Sequence, residues 1–196
     1  EETVTQGHAF SIGRGFATLV RARTGGAAIC VGYDGRLSSP TLEDALVQGL
    51  IASGASVTRI GLGPTPMLYF AGKTGNADGA IMITGSHNPP NHNGFKMVLG
   101  GGPFYGDDIQ ELGAVAASRA FHDGVGTVRE EDVGDRYIAT LAEAYRSDRG
   151  LKVAWDAGNG AAGAVMARLV RDLPGEHLLL CETIDGHFPN HHPDPT

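Results

Sequence analysis

Short apolar segments of strand-like character alternate with segments of helical periodicity along most of this chain. The strand-like segments are residues 28–33, 56–60, 79–83 and 94–99. Strands that alternate with helices form a parallel or mixed sheet, because each connecting helix packs on a face of that sheet. The sequence therefore predicts an α/β fold with a mixed or parallel sheet sandwiched by helices.

Local start and stop signals place the predicted helices. Thr5 is suited to cap the first helix, Ser39-Pro40 and Thr65-Pro66 begin two more, and Gly54 ends the second. A further helix is predicted after Asp107, where apolar residues again recur at helical spacing. The first helix precedes the first predicted strand, and the others lie between or after predicted strands, in keeping with the α/β class.

The composition changes around residues 125–135, where glycine and acidic residues predominate. Such a change is typical of a connection between domains. A helical pattern, a strand over residues 151–155 and a glycine-rich helix start follow it. We therefore predict a first domain over residues 1–134 and part of a second, similar α/β domain over residues 135–196.

Charge and cysteine content restrict the possible functions. The chain has 196 residues, 41% of them hydrophobic, and a formal net charge of −7. Nucleic-acid binding needs a basic face, so no nucleic-acid partner is expected. No apolar run reaches the roughly eighteen residues of a membrane span, so no membrane partner is expected either. Cys30 and Cys181 each lie in an apolar run, which predicts buried free thiols and a cytoplasmic location.

Ser86 lies on a stiff loop directly after the apolar strand 79–83. Gly85 relieves crowding at the end of that strand, and Pro89 disfavours helical geometry at the residue before it. A serine hydroxyl needs a base, a cation or a cluster of donors before it becomes a nucleophile, and His87 and Lys96 are close in sequence. On these residues alone, an ordinary polar turn is the alternative, because the same residue types dominate turns.

Other polar residues also follow the carboxyl ends of predicted strands. Asp34 and Arg36 follow the first strand, and Thr65 follows the second. In doubly wound sheets these ends line the ligand crevice, so Arg36 is expected on the same rim as Ser86. A surface salt bridge is the alternative role for Arg36.

The serine loop resembles the phosphoserine loop of the α-D-phosphohexomutase family, and its sequence is most similar to that of the bacterial phosphomannomutase/phosphoglucomutase branch. Similar motifs occur in the family's order along the rest of the chain. The segments that carry the resemblance are 84–90 (TGSHNPP), 93–96 (NGFK), 31–40 (VGYDGRLSSP), 61–66 (GLGPTP), 156–163 (DAGNGAAG) and 185–195 (DGHFPNHHPDP).

The resemblance implies a reversible phosphoryl transfer between the 1- and 6-hydroxyls of hexose phosphates, through a phosphoserine and a bisphosphate intermediate. It implies Ser86 as the phosphoryl carrier and a Mg²⁺ ligand, with His87 and Lys96 as further catalytic residues. It also implies Arg36, Thr84 and Asn88 as substrate- or phosphate-binding residues. Mg²⁺, glucose 1,6-bisphosphate as activator, hexose phosphates as partners and a monomeric state complete the expectation.

Two elements of the family pattern lie outside this sequence. They are the Tyr-Asp-Ile-Arg-Gly-like element before the first helix and the Asp-Gly-Asp-x-Asp-Arg loop that supplies the metal's carboxylates. The sequence is therefore expected to be an amino-terminal fragment that is inactive by itself. It does not distinguish mannose, glucose or glucosamine phosphate, and it does not give the phosphorylation state of Ser86.

Two other patterns favour different functions. Gly158, Gly160 and Gly163 form a G-x-G-x-x-G motif after a strand, which indicates a dinucleotide-dependent oxidoreductase or a nucleotide-binding module as the alternative. A steric role for glycines at a tight turn explains the motif equally well. The histidine-rich tail has the residue types of a zinc site, but its prolines favour an extended covering segment. Its members are His187, His191 and His192, with Asp185 and Asp194.

Overall fold

The computed structural model describes residues 4–193, which form a six-stranded sheet, a two-stranded sheet and six helices. The helices are α1 (Gln6–Thr24), α2 (Ser39–Ala52), α3 (Thr65–Thr74), α4 (Asp107–Ser118), α5 (Gly134–Ala144) and α6 (Gly163–Leu169). The strands are β1 (Ala28–Tyr33), β2 (Ser56–Leu62), β3 (Gly79–Ile83), β4 (Phe95–Leu99), β5 (Gly102–Phe104), β6 (Thr127–Glu130), β7 (Leu151–Asp156) and β8 (Gly175–Leu180).

The large sheet has the strand order β5-β4-β3-β1-β2-β6. Strands β3, β1, β2 and β6 are parallel, whereas β4 and β5 pair antiparallel at one edge. Since β1 is central and its neighbours run in the same direction, the carboxyl ends of β1, β2 and β3 meet at one edge. The predicted mixed α/β fold is confirmed.

Helices cover both faces of this sheet, and the alternation of side chains along β1 and β3 shows how. Ile29 and Val31 face a cluster formed with α1, α2 and α4. Cys30 and Met82 face the opposite cluster, which includes residues of α3 and α5. Successive side chains of a strand point to opposite faces, so a strand buried on both sides reads as a continuous apolar run.

Local signals in the sequence correctly predicted where the helices start. The backbone N–H of His8 donates to Thr5 Oγ1 at 3.2 Å, so Thr5 caps α1 as predicted.

Cys30 is buried, also as predicted. Cys181 is only partly buried, which corrects the prediction made for it. Strand β8 ends at Leu180, and the chain turns at Cys181 with a φ of 50°, which brings this thiol to a loop.

The segment 125–135, expected to connect two domains, contains a strand that the sequence did not indicate. Residues of this segment form β6, which adds to the large sheet beside β2. All four residues of β6 are exposed, because it is an edge strand, and this explains its polar, acidic composition. The division of the chain at residues 134/135 stays a prediction.

Helix α5 connects the two sheets physically. The ring of Tyr137 lies 5.5 Å from that of Phe70 on α3, and Arg168 of α6 pairs with Asp135 at the start of α5. Beyond α5, β7 and β8 pair in parallel, and α6 lies between them in sequence. Among residues 4–193, no helix is long and apolar enough to cross a membrane.

Candidate active site at the carboxyl ends of the strands

A cavity of about 340 Å³ lies where the carboxyl ends of the strands meet. One wall comes from the loops after β1, β2 and β3, and the facing wall from the loop after β7 and the segment near residue 190. The predicted site residues among its lining are Arg36, Thr84, Ser86 and His87. The prediction that Arg36 and Ser86 share one rim is thus confirmed.

Ser86 is exposed on the loop after the wholly buried strand β3. Its φ of 54° is left-handed, a conformation that residues other than glycine rarely adopt. The backbone N–H of Ser86 donates to Thr84 Oγ1 at 2.9 Å, and the N–H of Thr84 donates to the carbonyl of Gly94 at 3.0 Å. The buried Thr84 therefore fixes the turn that displays the serine hydroxyl.

Arg36 is the buried centre of this loop, with only 1% of its surface exposed. Its Nε donates to Asp34 Oδ2 at 3.1 Å. The other four N–H groups donate to loop carbonyls: those of Pro89 at 2.6 Å, His92 at 3.0 Å, Ser86 at 2.9 Å and Asn88 at 2.9 Å. A guanidinium has five N–H groups, so none is left for a ligand.

These contacts favour a role for Arg36 in holding the serine loop, whereas its phosphate-binding role stays a prediction. Sequence reasoning located the residue on the right rim, but it could not show that carbonyls would consume every donor. Gly85 is part of the same packing, because a Cβ at that position would lie 2.4 Å from Arg36 Cζ. Only a residue without a side chain lets the guanidinium reach the loop.

Lys96 is the charged group beside the serine hydroxyl. It lies on β4, where it pairs with Met82 of β3, and its Nζ donates to Ser86 Oγ at 3.2 Å. An ammonium at this distance stabilises negative charge on the serine oxygen or on a phosphoryl group attached to it. His87 is exposed and lines the cavity. Asn88 contributes its backbone carbonyl to Arg36.

Asp34 is committed to the protein rather than to a metal. It accepts hydrogen bonds from the backbone N–H of Arg36 at 3.1 Å, from Arg36 Nε, and from Ser39 Oγ at 2.7 Å. Mg²⁺ prefers octahedral oxygen ligation with carboxylates. On this wall of the cavity, the described residues offer Mg²⁺ the Ser86 oxygen and no uncommitted carboxylate, so they do not form a magnesium site.

Sequence reasoning assigned no site role to two residues of the facing wall, Asp156 and Phe188, and it named a third, His191, only as a member of the histidine-rich tail. The ring of Phe188 lies 5.3 Å from Arg36 Cζ, in cation–π range. Asp156 and His191 form an ion pair, with Nε2 3.1 Å from Oδ2. Asp156 ends β7 just as Tyr33 ends β1, so the rule applied to β1 would have identified this carboxylate.

Hydrogen bonds shift the titration of this pair. The Gly158 N–H, followed by His191, holds the pKa of Asp156 below its usual range. The His192 carbonyl, followed by Asp156, raises the pKa of His191. Burial, together with the Asp156 charge, raises the pKa of the Cys181 thiol. In the histidine-rich tail, His187 is bonded locally to Asp185. Asp194 lies outside the described residues.

The glycine motif that favoured a dinucleotide has a steric explanation. A Cβ at Gly163 would lie 1.9 Å from the backbone oxygen of Glu182, so the start of α6 must be glycine to pack there. The helix has only seven residues. The motif is therefore accounted for by close packing of backbone against backbone.

Comparison with known proteins identifies the class to which this fold and site belong. Residues 1–123 match the family model for phosphoglucomutase/phosphomannomutase, alpha/beta/alpha domain I. The chain belongs to this family, the bacterial phosphohexomutases that the serine loop resembles. The relatives named below are phosphoglucomutases or phosphomannomutases by name, and none of them is named as an oxidoreductase.

Particular relatives show how much of the family's length is present. A phosphoglucomutase of Neisseria gonorrhoeae is 44% identical over 198 residues, which cover 100% of this chain and 43% of the relative. A phosphomannomutase/phosphoglucomutase of Pseudomonas aeruginosa is 39% identical over 194 residues, covering 99% and 42%. The crystal structure of a family protein from Burkholderia thailandensis matches with a TM-score of 0.93 and 45% identity, covering 99% and 44%. The chain thus spans less than half the length of these relatives.

Proposed function

We propose that this chain supplies the phosphoserine domain of a phosphomannomutase/phosphoglucomutase. In a full-length mutase containing these residues, Ser86 would carry a phosphoryl group between the 1- and 6-hydroxyls of mannose or glucose phosphates. The observation that carries the proposal is the hydroxyl of Ser86, exposed at the cavity on a loop held by Arg36, with Lys96 Nζ at 3.2 Å. The names of the relatives support the same reaction class.

The proposed transfer proceeds in two balanced steps. A sugar hydroxyl attacks the phosphorus of phospho-Ser86, the bond from phosphorus to Oγ breaks, and the hydroxyl proton leaves to a base. The sugar is then a bisphosphate. After the bisphosphate reorients, Ser86 Oγ attacks its other phosphorus, the bond from that phosphorus to the sugar oxygen breaks, and the base returns the proton to that oxygen. The serine is then phosphorylated again, and a monophosphate with exchanged position departs. Catalysis of this kind depends on positioning and on neutralising charge, which the loop and Lys96 supply.

The roles proposed for the other residues follow from their positions. Lys96 would neutralise the phosphoryl oxygens or transfer a proton, because its Nζ already contacts Ser86 Oγ. His87 would contact substrate from the cavity wall, and Thr84 and Asn88 would shape the loop. Mg²⁺ is proposed to bind the Ser86 oxygen in the full-length mutase, where carboxylates outside these residues would supply its other protein ligands, with glucose 1,6-bisphosphate as activator. We also propose a monomeric state and a cytoplasmic location, and the two free cysteines agree with the latter.

The proposed function is tested by turnover combined with phosphopeptide mapping. Full-length enzyme with Mg²⁺ and glucose 1,6-bisphosphate should convert glucose 1-phosphate and mannose 1-phosphate to the corresponding 6-phosphates. Tandem mass spectrometry should locate one phosphoryl group on Ser86. The absence of turnover with both sugars, or turnover with the phosphoryl group on a different residue, would refute the proposal.

Replacement of Lys96 by methionine should lower kcat by about 100- to 1,000-fold, because a charged donor beside developing charge in an active site contributes roughly 2.7–4 kcal/mol. Methionine keeps the aliphatic volume and removes the charge. The measurement is steady-state turnover of glucose 1-phosphate by the full-length enzyme. Lys73→Met on α3 is the matched control and should keep wild-type kcat. A loss below tenfold in Lys96→Met would mean that the Lys96–Ser86 contact does not serve catalysis.

A further inference from the structure

A cluster of three metal-binding side chains lies at the wall of the cavity that faces Ser86. Asp156, Cys181 and His191 each place a ligand atom within 4.8 Å of the other two. His191 Nε2 lies 3.1 Å from Asp156 Oδ2. Two ligand atoms of a tetrahedral zinc with bonds of about 2.0–2.1 Å are roughly 3.3 Å apart, so this spacing suits one shared ion.

Backbone contacts hold two of the three ligands in position. Asp156 ends β7, and its Oδ1 accepts the N–H of Gly158 at 2.8 Å. Cys181 follows β8, and its carbonyl accepts the N–H of Asn159 at 2.9 Å. The ends of two paired strands therefore hold the carboxylate and the thiol together before any ion binds.

The orientation of His191 is that of a metal ligand. Its Nδ1 lies 2.9 Å from the backbone carbonyl of His192. A carbonyl only accepts hydrogen bonds, so Nδ1 keeps its proton, and Nε2 is the nitrogen that would bind an ion once the ion displaces the proton shared with Asp156. Nε2 is the nitrogen that points at Asp156. Metal-binding histidines commonly donate their second N–H to a backbone carbonyl in this way, which fixes the tautomer and the ring.

We propose that Asp156, Cys181 and His191 bind a divalent transition metal of the zinc class. A thiolate and an imidazole select such an ion, whereas Mg²⁺ requires oxygen ligands. Three protein ligands leave a fourth position open. Asp156 and His191 line the cavity that also contains Ser86, so the open position is directed to that cavity. The proposal does not depend on the mutase reaction and stands apart from the Mg²⁺ proposed at Ser86.

Cobalt serves as the spectroscopic probe for this site. Titration of the reduced, metal-free chain with Co²⁺ should give a near-ultraviolet thiolate-to-cobalt charge-transfer band and visible bands of tetrahedral cobalt, both saturating at one equivalent. Zn²⁺ should displace the cobalt and bleach both bands, since it binds such ligands more tightly than Co²⁺. Excess Mg²⁺ should leave both bands unchanged.

Paired variants identify the ligands. Cys181→Ser should abolish the charge-transfer band, and His191→Ala should weaken cobalt binding by at least about tenfold, as loss even of an outer contact does. Cys30→Ser removes the other thiol, and His192→Ala keeps the backbone carbonyl, so both should retain the band. Circular dichroism checks that each variant folds. The absence of a thiolate band in the wild-type chain, or its persistence in Cys181→Ser, would overturn the proposal.

Discussion

Replacement of Ser86 by alanine should abolish mutase turnover in the full-length enzyme and leave its fold intact. The change removes the only atom that can carry the phosphoryl group in the proposed reaction. It does not remove what holds the loop, because Arg36 donates to the backbone carbonyl of Ser86 and Thr84 accepts from its backbone N–H. Alanine also keeps a Cβ at the left-handed φ of 54°, so backbone strain is nearly unchanged.

The measurement combines kcat with transfer of labelled phosphate from glucose 1,6-bisphosphate to protein. Wild-type enzyme should incorporate one label, and Ser86→Ala should incorporate none and show turnover at background. Ser118→Ala is the matched control, since that hydroxyl lies at the end of α4 and donates to the carbonyl of Ala114. Turnover by Ser86→Ala within tenfold of the control would remove Ser86 from the proposed mechanism.

The backbone of this fold was largely predictable because its signals are local. A buried strand reads as an apolar run, and the cap at Thr5 and the prolines at the starts of α2 and α3 act on their own turns. Strand β6 was missed for a physical reason. An exposed edge strand buries no side chain, so only its pairing with β2 defines it, and pairing leaves no periodicity in the sequence.

The site was predictable where function follows from position at a strand end. Ser86, Thr84 and Arg36 lie where the rule for parallel sheets places them. The role of Arg36 was not predictable, since it depends on four carbonyls that are about fifty residues away along the chain. The meeting of Asp156, Cys181 and His191 was equally hidden, because it needs the register of β7 with β8 and the path of the tail.

The second large effect is expected at Arg36, whose removal should disable the serine loop without touching the reacting atoms. Arg36→Met leaves four loop carbonyls and the Asp34 carboxylate without their donor. Breaking a buried charge pair alone costs about 3–5 kcal/mol, so this variant should be strongly destabilised. Arg36→Lys keeps the charge but replaces five forked donors by three, so it should fold and still misplace Ser86.

Activity and stability together separate positioning from folding in this prediction. A misplacement near 1 Å costs on the order of 100-fold in rate, so Arg36→Lys should lose about that much kcat with a smaller change in KM. Leu112→Ala provides the comparison, because this buried core residue should lose roughly 2–5 kcal/mol of stability and lies on α4, remote from the cavity. Below its melting temperature Leu112→Ala should keep kcat within a few-fold of wild type, whereas Arg36→Lys should not. If kcat followed stability equally in both variants, Arg36 would be a structural residue without a specific role in positioning Ser86.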